Sequence, residues 1–105
     1  MKLCIDIDNT ILYTEYHLEE GPLYVVLDHN KKLVKIINKM YKKGHVIILH
    51  TARHWDKLDL TIRQLKDINV KYTTLVMGKP TADFYIDDRA ILPEDFIKLE
   101  ENNNG

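Results

Sequence analysis

Asp6, Asp8 and Thr10 alternate along DIDNT, Thr51 follows the apolar run Val46 to Leu49, Lys79 follows Thr73 to Met77, and Asp87 with Asp88 follows Phe84 to Ile86. Carboxylates, hydroxyls and a single cation in this pattern suit phosphoryl transfer. A phosphate ester repels nucleophiles through its own negative charge, so a site must supply positive charge and fixed positioning. A hard Mg²⁺ ion, held by one or two carboxylates and by the substrate phosphate, meets that need, and Asp6 and Asp87 are ligands of the right type. Lys79 adds a fixed cation, and the Thr51 hydroxyl can donate to a phosphoryl oxygen. Taken singly, each residue has a plainer explanation as a turn, capping or solvated side chain. Capping explains neither the aspartates set against β-rich runs nor the cation opposite them.

Positioning these groups requires strands that end at one edge. Lys2 to Ile7 reads as a buried strand, His45 to His50 as a central parallel strand, and Thr73 to Met77 and Phe84 to Ile86 as shorter ones, about four in all. Leu33, Ile36, Ile37, Met40 and Tyr41 recur at helical spacing, with Asn30 as N-cap and Gly44 as stop. Leu58, Ile62, Leu65 and Ile68 mark a second helix with Asp56 near its start, and Pro93 opens a third that runs to Leu99. Residues 11–29 surround a Gly21-Pro22 turn signal and read as a loop with a small hairpin. Strands alternating with helices imply an α/β, three-layer Rossmann-like domain with a mainly parallel sheet covered on both faces. Ligands of such sheets bind outside the carboxyl ends of the strands, where Asp6, Asp8, Thr10, Thr51, Lys79, Asp87 and Asp88 are expected.

The chain has 105 residues, enough for one domain, expected to span residues 1–99 with a mobile tail over 100–105. Its 45% hydrophobic and 30% charged residues are those of a soluble globular protein, and no apolar run is long enough for a bilayer-spanning helix. Asp6 and Asp8 interrupt the place where a signal peptide needs its apolar stretch, so the expected location is the cytoplasm, with no membrane partner. The single cysteine, Cys4, forms no internal disulfide and is expected as a small buried hydrophobe. A formal net charge of −1 gives no general attraction to nucleic acid.

DIDNT at 6–10, HTAR at 50–53, GKP at 78–80 and YIDDRA at 85–90 together resemble the four motifs of the haloacid dehalogenase superfamily, in order and at compatible spacing. YIDDRAILPEDF is similar to the short branch without a cap domain often labelled capsule biosynthesis phosphatases. The resemblance implies that Asp6 is nucleophile and metal ligand, and that Asp8 is general acid and base with a backbone carbonyl on the metal. It further implies that Thr51 and Lys79 orient and neutralise the phosphoryl group, Asp87 binds Mg²⁺ directly, and Asp88 holds a metal-bound water. An aspartate two residues after the first distinguishes the phosphatases of that superfamily from its dehalogenases.

Thr10, Arg53 and His54 are the candidate substrate contacts. For Arg53 to Trp55, packing and substrate contact weigh about equally, and Tyr13, Tyr16 and Tyr24 are expected to pack. Lys31, Lys32, Lys35, Lys39, Lys42 and Lys43 form one arc of the first helix, expected as a solvated face rather than a polyanion surface. His50 and His54 have no further nearby His or Cys for zinc. Arg89 is expected to pair locally with the acidic residues before it.

The expected function is therefore that of a Mg²⁺-dependent phosphomonoesterase forming an aspartyl phosphate, with a sugar phosphate as the substrate implied by the resemblance. A polynucleotide 3′-phosphatase is the enzymatic alternative, since a site without a cap could admit a chain end. A non-catalytic phosphate-binding or scaffold domain is the alternative from another class. The missing cap leaves substrate selection to residues 11–29 or to a neighbouring subunit in a homo-oligomer.

Overall fold

The structure is a computed structural model that describes residues 1–18 and 23–103. Its elements are β1 (Lys2–Asp6), β2 (Leu12–His17), β3 (Leu23–His29), α1 (Lys31–Lys42), β4 (Val46–His50), α2 (Leu58–Asp67), β5 (Thr74–Val76) and α3 (Pro93–Asn103), with a 3₁₀ turn at Trp55–Lys57 before α2. A parallel three-stranded sheet in the order β1-β4-β5 forms the centre, and β2 and β3 make a separate antiparallel hairpin. The hairpin occupies the region read as one, while the Gly21-Pro22 turn signal lies outside the described residues. No helix among the described residues is long and apolar enough to cross a membrane.

β-Branched and aliphatic side chains drive the central ladder. Ile47 and Leu49 of β4 are wholly buried while the residues between and beside them are half-buried, the alternation of a strand packed chiefly on one face. They meet Ile7, Leu33, Ile37 and Met40 in a single core that also takes in Leu65 of α2. α1 presents Leu33, Val34, Ile37 and Met40 inward and most of its lysines outward. Tyr41, expected in the apolar stripe, is exposed instead. Both ends of α1 are set by local chemistry: the Asn30 side chain accepts from the Leu33 N–H at 3.2 Å, and Gly44 takes φ +93° just past the helix. In α2 the inward face runs through Thr61 and Leu65, and Ile62 is exposed, because Thr61 is drawn in by a polar partner described below.

The fourth strand expected at Phe84 to Ile86 does not form. Residues 81–92 are exposed throughout, with Phe84 82% and Ile86 97% accessible, and the outer edge of β1 carries no strand among the described residues. Local bonds explain this: Tyr85 donates its hydroxyl to the Pro80 carbonyl at 2.5 Å, and the Asp87 carboxylate accepts from the Arg89 N–H at 2.9 Å. Side-chain bonds to nearby backbone compete with a ladder, and a three-residue run between acidic residues offers little to outweigh them. The open edge also corrects the expectation for Cys4, which is exposed rather than buried. α3 continues past Leu99 through Asn103, so the helix takes in residues expected as tail.

Candidate active site

β1 delivers Asp6 at its last position, and the chain then turns sharply. The Ile7 carbonyl accepts from the N–H groups of Thr10, Ile11 and Leu12 at 3.2, 2.9 and 3.0 Å, and Asn9 at φ 62° makes the reversal possible. Asparagine tolerates this left-handed region better than most residues, which accounts for an Asn between Asp8 and Thr10. Ile11 and Leu12, both wholly buried, anchor the far side of the turn, each contributing about 1.5–3 kcal/mol of apolar burial. In consequence Thr10 folds back on Asp6, donating its hydroxyl to Oδ2 at 3.3 Å.

β4 and β5 are laced together beyond their ends. Thr51 N–H donates to the Val76 carbonyl at 3.0 Å, Lys79 N–H to the Thr51 carbonyl at 2.8 Å, and Gly78 N–H to the Arg53 carbonyl at 2.9 Å. Gly78 sits at φ +76°. This lacing brings the Lys79 ammonium within 3.6 Å of Asp6 Oδ1, and the same Nζ lies 3.9 Å from the centre of the Tyr85 ring. A Cβ added at Gly78 would meet only the Trp55 indole, at 3.5 Å, so the penalty there is the backbone's. Gly78→Ala is expected to lower stability by about 1–2 kcal/mol, the cost of a left-handed L-residue, as read from the urea midpoint.

A groove of about 570 Å³ runs beside β1, and Asp6, Thr10, His50, Lys79, Tyr85 and Asp87 are among its lining residues. Asp87 is held below the usual carboxylate range by the Arg89 backbone N–H first and by the Asp88 side chain second. Asp88 and His54 are exposed and do not line the groove. His50 was read in the sequence only as an improbable zinc ligand, yet it faces Asp6 in register across β1 and β4 and lines the groove. Burial draws its imidazole below the ordinary 6.5, the Lys79 charge lowers it further, and Asp6 opposes both. Lys79→Met should accordingly raise the His50 pKa, measured from its ring-proton shifts by NMR. An unmoved titration would separate Lys79 from this end of the sheet.

Asp8 and Thr51 are not among the residues that line the groove. Asp8 Oδ1 accepts from the Thr14 hydroxyl at 2.9 Å and Oδ2 from the Thr51 hydroxyl at 2.9 Å. Arg53 adds Nε at 3.2 Å from both oxygens and Nη2 at 2.8 Å from Oδ1. Arg53 is 1% exposed and faces Asp8 from within the protein. Thr14, Thr61 and Gln64 escaped the sequence reading. A threonine in the buried stripe of α2 was the available signal for Thr61, whereas Thr14 reaches Asp8 only through the placement of the hairpin.

Mg²⁺ takes oxygen ligands, needs only one or two protein carboxylates, and keeps several waters. Asp6 and Asp87, which share the groove, fit such an ion in donor type. The four expected ligands Asp6, Asp8, Asp87 and Asp88 are not drawn into one cluster: among the described residues, no group of three or more His, Cys, Asp or Glu is placed to hold a metal ion.

No family model matches the chain, and no curated protein matches it. Among solved structures, the chain is similar to the crystal structure of an MCSG target from Vibrio cholerae, with 25% sequence identity and a TM-score of 0.73 over 98% of this chain and 94% of that one. The small mixed α/β fold with a parallel three-stranded sheet is thus shared end to end with a solved protein. The likeness concerns fold and brings no activity with it.

Proposed function

We propose that the protein is a Mg²⁺-dependent phosphomonoesterase of the haloacid dehalogenase type, without a cap domain, acting through an aspartyl phosphate on Asp6. The observation that carries this reading is the convergence of Asp6, Thr10, Lys79 and Asp87 on one groove at the carboxyl end of β1, with Asp8 two residues from Asp6. Asp6 attacks phosphorus, the bond from phosphorus to the ester oxygen breaks, and Asp8 gives that oxygen its proton. Water then attacks the phosphorus of the acyl phosphate and returns a proton to Asp8, while the bond from phosphorus to the Asp6 oxygen breaks, releasing inorganic phosphate and the free carboxylate. Lys79 neutralises charge on the phosphoryl oxygens, and Thr10 and Lys79 orient the Asp6 carboxylate for attack. Asp6 and Asp87 would hold Mg²⁺, which supplies further positive charge to the phosphoryl group.

Asp87 supports the reading in a testable way. Turnover of p-nitrophenyl phosphate should require Mg²⁺ and stop on chelation. Asp87→Asn should raise the Mg²⁺ concentration for half-maximal rate, and an unchanged metal dependence would remove Asp87 from the ligand set. A pure sample that turns over no phosphate ester in Mg²⁺ would sink the proposal.

A further inference from the structure

Among the described residues, the most completely enclosed charge is the Arg53 guanidinium. Besides its three bonds to Asp8, it donates from Nη1 to Thr61 Oγ1 at 3.1 Å and to Gln64 Oε1 at 2.7 Å, and it lies 4.2 Å from the centre of the Tyr24 ring. These partners are themselves held. Thr61 Oγ1 donates to the Lys57 carbonyl at 2.8 Å, and Gln64 Nε2 to the Tyr24 carbonyl at 2.7 Å. No buried side-chain nitrogen or oxygen among the described residues lacks a partner. So large a set of bonds is more than a surface contact needs, and it ties α2 and β3 to one carboxylate at the end of β1.

We infer that Arg53 is a positioning residue for Asp8. This rests on the proposed role of Asp8 as proton donor and acceptor. A short aspartate beyond a left-handed turn can point in several directions, and proton transfer needs its oxygen within hydrogen-bond reach of the leaving atom. Arginine presents a planar fork that fixes a carboxylate at two oxygens, which a lysine cannot reproduce. Turning Asp8 away would leave a buried cation unpaired, so the network holds Asp8 to a narrow range of orientations. Gln64 and Thr61 act one step further back, by holding the fork. The hairpin contributes Thr14 and Tyr24 to the same set, which gives it a supporting role for the acid.

The test compares single-turnover rates for an alkyl phosphate, whose leaving oxygen needs a proton, with those for p-nitrophenyl phosphate, whose leaving oxygen does not. Arg53→Met should slow release of the alkyl group by on the order of 10–10² and of nitrophenolate by less than about threefold, the pattern of Asp8→Ala in weaker form. Arg53→Lys should fall between Arg53→Met and wild type. Gln64→Leu, which leaves the guanidinium in place, should show the same contrast at smaller size, and it serves if Arg53→Met does not fold. Equal losses for both substrates would mean that Arg53 acts by packing, and a raised KM with unchanged rate would mean that it binds substrate. Either outcome overturns the inference while leaving the phosphatase reading standing, provided that wild type turns over and Asp6→Asn does not. A wild type without turnover overturns both.

Discussion

Asp6→Asn is expected to abolish phosphate-ester turnover, with a loss on the order of 10⁴–10⁶, the scale seen when an enzyme's nucleophile is removed. An amide is a poor nucleophile and a weaker ligand for a hard cation, and it no longer pairs with the ammonium of Lys79 3.6 Å away. The fold should survive. Asp6 lies at the end of β1, where its backbone continues the ladder opposite His50, and its side chain is about a third exposed. A partly exposed ion pair contributes roughly 0–1 kcal/mol, so the unfolding midpoint should move little. The check is a rate measured beside a thermal or urea melt on the same sample. Substantial activity in a pure, folded variant would remove Asp6 from the chemistry, whereas lost activity with a lost fold would say nothing of the nucleophile and would call for Asp6→Ser.

Asp8→Ala should produce the second large effect, and one that depends on the leaving group. A sugar alkoxide is strongly basic and departs poorly without a proton, while nitrophenolate departs readily as an anion. The first step should slow by on the order of 10² to 10⁴ for a sugar phosphate and much less for p-nitrophenyl phosphate. Steady-state rates would blur this contrast, because Asp8 is also the proposed base for water attack, so the release burst must be followed in a single turnover. With the activated ester the burst should persist while later turnovers slow. Equal first-step losses would mean that Asp8 works through binding or metal position. The variant also frees Thr14, Thr51 and the buried Arg53 from their shared carboxylate, so a stability loss should accompany it, on the order of 3–5 kcal/mol for an uncompensated buried charge.

Much of the frame was legible because periodicity and local chemistry agreed. Asn30, the apolar spacing from Leu33 to Met40 and Gly44 all pointed to α1, and the structure uses each of them. The run Val46 to Leu49 read as a central strand, and β4 pairs on both sides. Phe84 to Ile86 misled for the converse reason. Its composition favours a strand, but the bonds made by Tyr85 and Asp87 to nearby backbone hold it out of the ladder. The candidate site divides in the same way. Asp6 and Lys79, at or just past the ends of β1 and β5, could be placed from sequence, since the alternation of strands and helices sends those ends to one side. Other partners could not: Thr14 meets Asp8, and Tyr24 and Gln64 meet Arg53, through the placement of the hairpin and α2, which no period or cap signal gives. For Arg53 the sequence left packing and substrate contact both open, and the side chain is buried against Asp8.

The covalent intermediate is the most direct test of the central claim. The protein is mixed with p-nitrophenyl phosphate and Mg²⁺, quenched in acid within the burst, reduced with borohydride, digested and analysed by mass spectrometry. An acyl phosphate on a carboxylate is reduced to an alcohol, which turns aspartate into homoserine. Homoserine is expected at position 6, in the peptide containing Asp6, Asp8 and Thr10, dependent on substrate and Mg²⁺ and missing from Asp6→Asn. Turnover with no reduced residue at position 6, or with the mark on another side chain, would contradict it.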